Sequence, residues 1–394
     1  MTKYLVVIGD GMSDLPLKEL GGQTPLSAAK TPNLDWLAQN GSCGWTLNTP
    51  AGLPPGSDVA AMSIFGADPK KYYTGRGPLE AASLGVKIKP GEVAFRCNLV
   101  SVAAGRMKDF TAGHISTGEA KSIFKLLNAK LGSRNVRFYP GLSYRNLLLM
   151  KDDRAGSLAR LRTTAPHDIT GKPIAEYLPQ GRTAECLTSL MSESEVLLHG
   201  RSSKATMIWP WGQGTAPRLA SFRSRFGKRA AIITAVHLLK GLGKILGMKI
   251  IDVPGATGYL DTNYKGKAEY ALRALKNNDV VFVHVEAPDE AGHEGDVRKK
   301  IRAIEDFDRL VIGTLIKKLR IPHSELRILV LPDHPTPIKL MTHTSAPVPF
   351  VVYPSRITHY VYRIAGFNEK EIGKSRLKIN EGYKLIGRFL KDEL

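Results

Sequence analysis

One stretch limits what this chain can fold into more than any other: Val281-Phe-Val-His-Val-Glu-Ala-Pro-Asp-Glu-Ala-Gly-His293. The run Val281 to Val285, alternating apolar and other residues, reads as a buried strand. Pro288 ends that strand and opens a loop. On the loop, Asp289 and His293 sit four residues apart, a carboxylate and an imidazole that can close on one divalent cation. Two other segments repeat the arrangement. Tyr4 to Ile8 reads as a strand running into Gly9-Asp10-Gly11, and Arg327 to Leu331 as a strand running into Pro332-Asp333-His334, with His343 in the loop beyond. Three strands that deliver hard ligands at their C-terminal ends describe an open, mainly parallel α/β sheet, which keeps its site at that edge.

The remaining texture divides the chain. Thr31 followed by Pro32 reads as N-cap and N1 of a helix to about Gln39. Tyr72 to Gly85 reads as a crossing loop. From about 86 to 222, short strands (Val93 to Leu99, Val136 to Tyr139, Asn146 to Met150) alternate with helices such as Ser116 to Leu131, an α+β pattern. The α/β rhythm returns from Ala230: helix 235–246, strand Lys249 to Val253, helix Lys267 to Lys276, strand 279–285, helix Val297 to Leu319, strand 327–331 and strand Phe350 to Tyr353. The N-terminal part alone supplies too few strands for a sheet. The expected organisation is therefore a discontinuous core, 1–84 and 223–394, interrupted by an inserted cap, 85–222.

With 394 residues, 43% of them hydrophobic, the chain can bury a large core. The formal net charge of +20 suits an anionic partner. The basic residues are dispersed, except for short runs at Arg218 to Arg229 and Arg298 to Arg302 that read as solvated helix faces. No aromatic-interleaved basic patch marks a nucleic-acid surface. Cys43, Cys97 and Cys186 have neither metal-type nor disulfide-framework spacing, which implies a reducing compartment. The N-terminus lacks a signal-peptide layout, no apolar run spans a bilayer, and the closing Lys391-Asp-Glu-Leu394 cannot act as a retention address without an entry signal. A cytoplasmic protein without membrane attachment is expected, with a homo-oligomer left open.

The chemistry centres on a Gly/Pro-rich loop, Ala51-Gly-Leu-Pro-Pro-Gly-Ser57, that leads into an apolar helical stretch. Ser57 thus falls at a helix N-terminus, where backbone N–H groups and the macrodipole favour a phosphoryl anion. Taken together, Asp10, Ser57, Asp289, His293, Asp333, His334 and His343 make two metal sites and a hydroxyl nucleophile. A serine needs a base or a metal to attack at neutral pH, and a second cation can stabilise phosphoryl oxygens. Mixed Asp/His shells suit Mn²⁺ or Zn²⁺. His284 reads as packed inside its strand, and His199, His237, His323 and His359 as surface or helix residues.

An ordered set of motifs carries a resemblance over nearly the whole chain. They are Gly9-Asp10-Gly11, Pro54-Pro-Gly-Ser57-Asp-Val-Ala60, Tyr72-Tyr-Thr-Gly-Arg76, Ala94-Phe-Arg-Cys-Asn98, Ala112-Gly-His-Ile-Ser116, Gly255-Ala-Thr-Gly-Tyr259, Glu286 to His293 and Asp333-His-Pro-Thr336. Together they resemble the archaeal-type, cofactor-independent phosphoglycerate mutases of the alkaline phosphatase superfamily. The resemblance implies an alkaline-phosphatase-like core with an inserted transferase-like cap that closes over the glycerate and keeps water from a phosphoserine. It implies interconversion of 2- and 3-phosphoglycerate without 2,3-bisphosphoglycerate. Ser57 would carry the phosphoryl group. Asp10, Ser57, Asp333 and His334 match one metal site, and Asp289, His293 and His343 the other, with Mn²⁺ common and Mg²⁺, Co²⁺ or Zn²⁺ as alternatives. Arg76, Arg96, His114, His167 and Lys267 lie in family-like stretches as candidate contacts for the small anionic substrate, and Asp168 as a proton shuttle. The same scaffold leaves open a homoserine-kinase-like phosphotransferase or a plain metal-dependent phosphomonoesterase.

Overall fold

A computed structural model describes residues 2–152, 156–319, 325–354 and 364–394; His323 and His359 lie outside the described residues. The chain divides into two compact units, a core unit of Met1–Tyr73 with Leu219–Leu394 and an inserted unit of Thr74–Arg218.

The core unit is built on one eight-stranded sheet. Its strands are β1 (Lys3–Gly9), β2 (Ser42–Thr46), β3 (Ala230–Ile233), β4 (Lys249–Ile250), β5 (Val280–Val285), β6 (Leu326–Leu331), β7 (Val348–Tyr353) and β8 (Lys378–Ile379). They lie in the order β8-β2-β7-β6-β1-β5-β3-β4. The run from β6 to β4 is parallel, whereas β7 pairs antiparallel with both β6 and β2. β5 and β6 are buried along their whole length, which is why both are apolar except at His284 and Arg327. Leu5, Val7, Val281, Val283, Ile328 and Val330 pack under helices that contribute Ala268, Ile304, Phe307 and Leu315.

Register sets the site. Gly9 lies opposite Val285 and Ile8 opposite Leu331, so β1, β5 and β6 end level. Asp10, Asp289 and Asp333 therefore leave the sheet at one edge.

Several local expectations need correction. The segment after Pro288 is not a loop but helix α3 (Ala287–His293), following helix α1 (Ser57–Ile64) and helix α2 (Tyr264–Ala274) in the chain. Proline is tolerated in a first turn because its missing N–H has no intrahelical acceptor there. The expected 297–319 helix is continuous but changes hand-hold midway: α4 (Val297–Asp306), a π-helical turn Phe307–Ile312, then Gly313–Leu319. The Thr31 side chain makes no capping bond among the described residues; the Asp308 carboxylate, buried in the π-helical turn, accepts from Leu34 N–H at 2.7 Å instead. Lys300 is not on a solvated face but fully buried, paired with Asp14 at 2.8 Å.

The inserted unit holds a five-stranded antiparallel sheet around Glu92–Ala103, which pairs with Arg106–Asp109, Arg145–Lys151 and Met207–Gly214, while Val136–Leu142 extends the far edge. Helices Thr117–Lys130 and Ala184–Leu198 cover its own core, centred on Phe95, Phe124, Leu148 and Trp209. The stretch expected as a crossing loop contains helix Arg76–Ser83. Gly75 opens that helix at φ +137, where a Cβ would lie 2.1 Å from the Gln213 carbonyl oxygen.

Candidate metal and nucleophile site

The ends of β1, β5 and β6 gather the donors. Gly11 takes φ +59, a left-handed conformation in which an added Cβ would stand 2.7 Å from Asp289 Cα. Glycine there lets the Asp10 turn press against α3. On α3 the four-residue spacing puts Asp289 and His293 on one face. His293 Nε2 lies 3.3 Å from Asp289 Oδ2, His343 Nε2 3.3 Å from Asp289 Oδ1, and the two Nε2 atoms are 2.8 Å apart. His293 Nδ1 faces the Met341 carbonyl at 3.0 Å, which turns Nε2 inward.

The second cluster forms beside it. Asp333 Oδ1 accepts from Gly11 N–H at 3.1 Å and His334 N–H at 2.8 Å. His334 Nε2 stands 3.3 Å from Asp333 Oδ2, 3.5 Å from Asp10 Oδ1 and 3.2 Å from Ser57 Oγ. Ser57 is the first residue of α1, half-buried, with its helix otherwise buried behind it. Thr336 Oγ1 bonds Asp289 and lies 3.3 Å from His334 Nδ1, tying the two clusters. The seven residues expected to meet do meet.

Their electrostatics call for cations. Burial, then the Asp333 and Asp289 carboxylates, push Asp10 well above the usual carboxylate range. Burial also acts to raise Asp289, but hydrogen bonds from His293 and His343 hold it well below its ordinary value. His293 rises to about 9, its burial being outweighed by Asp289, whereas burial lowers His334. Asp10 Oδ1 and Asp333 Oδ2 are buried and accept no hydrogen bond among the described residues. Such orphaned oxygens are costly unless a cation meets them. Asp289, His293 and His343 bring donor atoms within 4.8 Å of one another, as do Asp10, Asp289 and His334. The donor set fits two divalent ions of the kind that accept mixed oxygen and nitrogen ligands.

His284 packs inside its strand as expected, and there, fully buried, it joins Asp10 and Asp333 in a third close donor group. Its imidazole is raised to about 10; burial opposes this, and Asp10 and Glu286 outweigh it. A lone polar side chain in an otherwise apolar parallel strand was the available signal. Lys267, expected to touch substrate, needs correction. It is completely buried on α2, ion-paired with Glu286, and its Nζ donates to the His284 carbonyl at 2.9 Å.

The other candidate contacts lie in the inserted unit. The Arg76 and Arg96 guanidinium groups sit 5.6 Å and 5.0 Å from the Trp211 ring, and the His167 ring 5.3 Å from it. Arg96 reaches Glu80 at 3.4 Å, and burial lowers its guanidinium to about 10. Asp168 is exposed beside His167, at 3.7 Å. His114 is exposed at a left-handed turn, φ +53, that Asp109 and Thr111 hold together.

Known proteins share this frame. A family model described as 2,3-bisphosphoglycerate-independent phosphoglycerate mutase matches residues 38–202. The Methanosarcina barkeri protein of that name is 49% identical over 399 residues, covering 99% of each chain. The chain belongs to this mutase family. Within the family, a Geobacter sulfurreducens protein described as a probable mutase is 45% identical, over 98% of this chain and 99% of that one. Among solved structures, a Pyrococcus horikoshii protein superposes with a TM-score of 0.83 at 28% identity, covering 99% and 97% of the two chains. The cofactor-independent phosphoglycerate mutase from Thermoplasma acidophilum gives 0.66 at 27% identity, covering 99% of both. No helix among the described residues is long and apolar enough to cross a membrane.

Proposed function

We propose that the protein interconverts 2-phosphoglycerate and 3-phosphoglycerate without 2,3-bisphosphoglycerate, with Ser57 as the transient phosphoryl carrier. The observation that carries this reading is the Ser57 hydroxyl at a helix N-terminus, 3.2 Å from His334 Nε2 and beside two buried, unsatisfied carboxylate oxygens. In the first half-reaction Ser57 Oγ bonds to phosphorus as the bond from phosphorus to the glycerate oxygen breaks, and that oxygen takes a proton. In the second, the neighbouring glycerate hydroxyl gives up its proton and takes the phosphoryl group, which frees Ser57. The helix N-terminus favours the phosphoryl charge in both directions.

Asp10, Asp333 and His334, with Ser57 Oγ, would hold one divalent ion, and Asp289, His293 and His343 the other. Mn²⁺ suits these donors, with Mg²⁺, Co²⁺ or Zn²⁺ as alternatives, and such ions favour the serine alkoxide and screen the phosphoryl oxygens. Arg76, Arg96, His114 and His167 are the proposed anchors for the substrate's carboxylate and phosphate, because guanidinium forks match both and an imidazole N–H can donate to either. Asp168, solvent-exposed beside His167, is the proposed proton shuttle between the two glycerate hydroxyls. A place in glycolysis or gluconeogenesis follows from this chemistry, and the free cysteines suit a reducing, cytoplasmic compartment.

A coupled assay tests the reading. Purified protein with Mn²⁺ and 3-phosphoglycerate, linked through enolase, is expected to form 2-phosphoglycerate. Free phosphate in its place would make the protein a phosphatase, and homoserine-dependent ATP consumption a kinase. Ser57→Ala is expected to lower kcat by roughly 10⁴-fold or more while the bound metal stays near two ions per chain. Retained turnover in that variant removes the phosphoserine step.

A further inference from the structure

Behind Asp10, a line of buried polar groups runs into the interior of the core unit. His284 occupies the second-last position of β5. Its Nε2 stands 3.2 Å from Asp10 Oδ2, and its Nδ1 3.2 Å from Glu286 Oε1. Glu286 is itself fixed: Oε1 accepts from Thr234 Oγ1 at 3.0 Å and from Ala235 N–H at 2.7 Å, and Oε2 is paired with Lys267. Lys267 also donates to the His284 carbonyl, which closes the line on the strand that carries it.

The consequence is that the two oxygens of Asp10 have different neighbours. Oδ2 faces the imidazole, while Oδ1 faces His334 Nε2 at 3.5 Å and accepts no hydrogen bond among the described residues. The terminal torsion of an aspartate is broad and roughly two-fold, so the backbone alone does not decide which oxygen points at a cation. We propose that His284 is a positioning residue: its ring pins Asp10 Oδ2 so that Oδ1 is presented to the metal, and Glu286 with Lys267 holds the ring in place. Nδ1 faces Glu286 Oε1, whereas Nε2 makes no hydrogen bond among the described residues and stands at ion-pair distance from Asp10 Oδ2, so the ring acts on Asp10 through charge. The inference rests on the metal-binding role proposed for Asp10. It also accounts for Lys267, whose buried ammonium anchors this support and does not face substrate.

Two amide variants separate the two ends of the ring. A glutamine amide nitrogen reaches roughly where Nε2 sits, an asparagine amide nitrogen where Nδ1 sits. Calorimetric titration of the metal-free full chain with Mn²⁺ is expected to show His284→Asn weakening one of the two ions about 10–100-fold. His284→Gln is expected to stay within about threefold of the native affinity, and both variants to lose similar thermal stability. Equal affinity in the two variants overturns the proposal, because a merely structural histidine predicts that result. A changed Co²⁺ visible spectrum in His284→Gln would make the ring a ligand and likewise overturn it. Should a His284 variant fail to fold, Glu286→Gln is expected to weaken the same ion several-fold, and native affinity there counts against the proposal. A native chain that binds no divalent ion would overturn the metal reading itself, a result distinct from the variant outcomes.

Discussion

Gly11 shows how much a single residue without a side chain can decide. At φ +59 its Cα hydrogen points at Asp289 Oδ1 and Thr336 Oγ1, each 2.5 Å from where a Cβ would be, with Asp289 Cα 2.7 Å away. Backbone cannot give way as a flexible side-chain tip can. Gly11→Ala is therefore expected to cost about 1–3 kcal/mol of stability, from the left-handed strain and the displaced turn. The same variant is expected to weaken divalent-ion binding, because Asp10 and the Gly11 N–H that holds Asp333 move together. A thermal melt and a Mn²⁺ titration check both, and native values in both would contradict this account. Lys300 shows the complementary case, a buried charge with a full set of partners. Its Nζ bonds Asp14, the Ser13 carbonyl at 3.3 Å and the Thr336 carbonyl at 2.7 Å, and so joins the Asp10 loop to the Asp333 loop. Removing one member of such a set leaves the other buried and unpaired.

Elements bring these residues together only if the strands begin and end in register. At the sheet's opposite edge, Asp279 fastens the starts of three strands. It accepts from Arg229 N–H at 2.9 Å and from the Arg229 side chain, and pairs with Lys3 at 3.3 Å. The Arg229 side-chain bonds, ahead of the opposing effect of burial, hold this carboxyl well below its usual range. A folded-state pKa below the unfolded one means stability that is present above about pH 4 and lost as pH falls through the depressed value. Asp279→Asn is expected to cost roughly 1–2 kcal/mol at pH 7, since Arg229 is half-exposed and partly screened. The cost is expected to shrink below pH 4. Denaturant unfolding at pH 7 and pH 3 measures the difference, and a penalty that grows at low pH would show the sign to be wrong.

For the molecule as a whole, the two units carry separate cores, and the proposed metal donors all belong to one of them. Ligand that binds only the native state stabilises it by RT ln(1 + [L]/Kd), about 2.7 kcal/mol at a hundredfold excess over Kd. For a unit of this size, that corresponds to a rise of about 5–10 °C in melting temperature. Scanning calorimetry is expected to show Mn²⁺ raising, and chelation lowering, the transition of the core unit. The transition of the inserted unit, Thr74–Arg218, is expected to move far less. A single transition that shifts as one would show that the units melt together.

What the sequence determined by itself was whatever depends on residue type in local order. Largely apolar runs at Tyr4 to Ile8, Val281 to Val285 and Arg327 to Leu331 required buried parallel strands, and the candidate donors at their ends followed because strand ends are where such sheets place chemistry. Asp10, Ser57, Asp289, His293, Asp333, His334 and His343 were legible for that reason. Local pattern does not encode partners far away in the chain. It left Asp289 and His293 on a loop when proline at a first turn in fact begins α3. It gave Thr31 a capping role that Asp308 fills from 274 residues away, through Leu34. It made Lys300 a surface charge and Lys267 a substrate contact, although buried carboxylates claim both. Tertiary packing alone decided these, and it alone placed His284 between Asp10 and Glu286, because a charged group enters an interior only where distant residues supply its opposite.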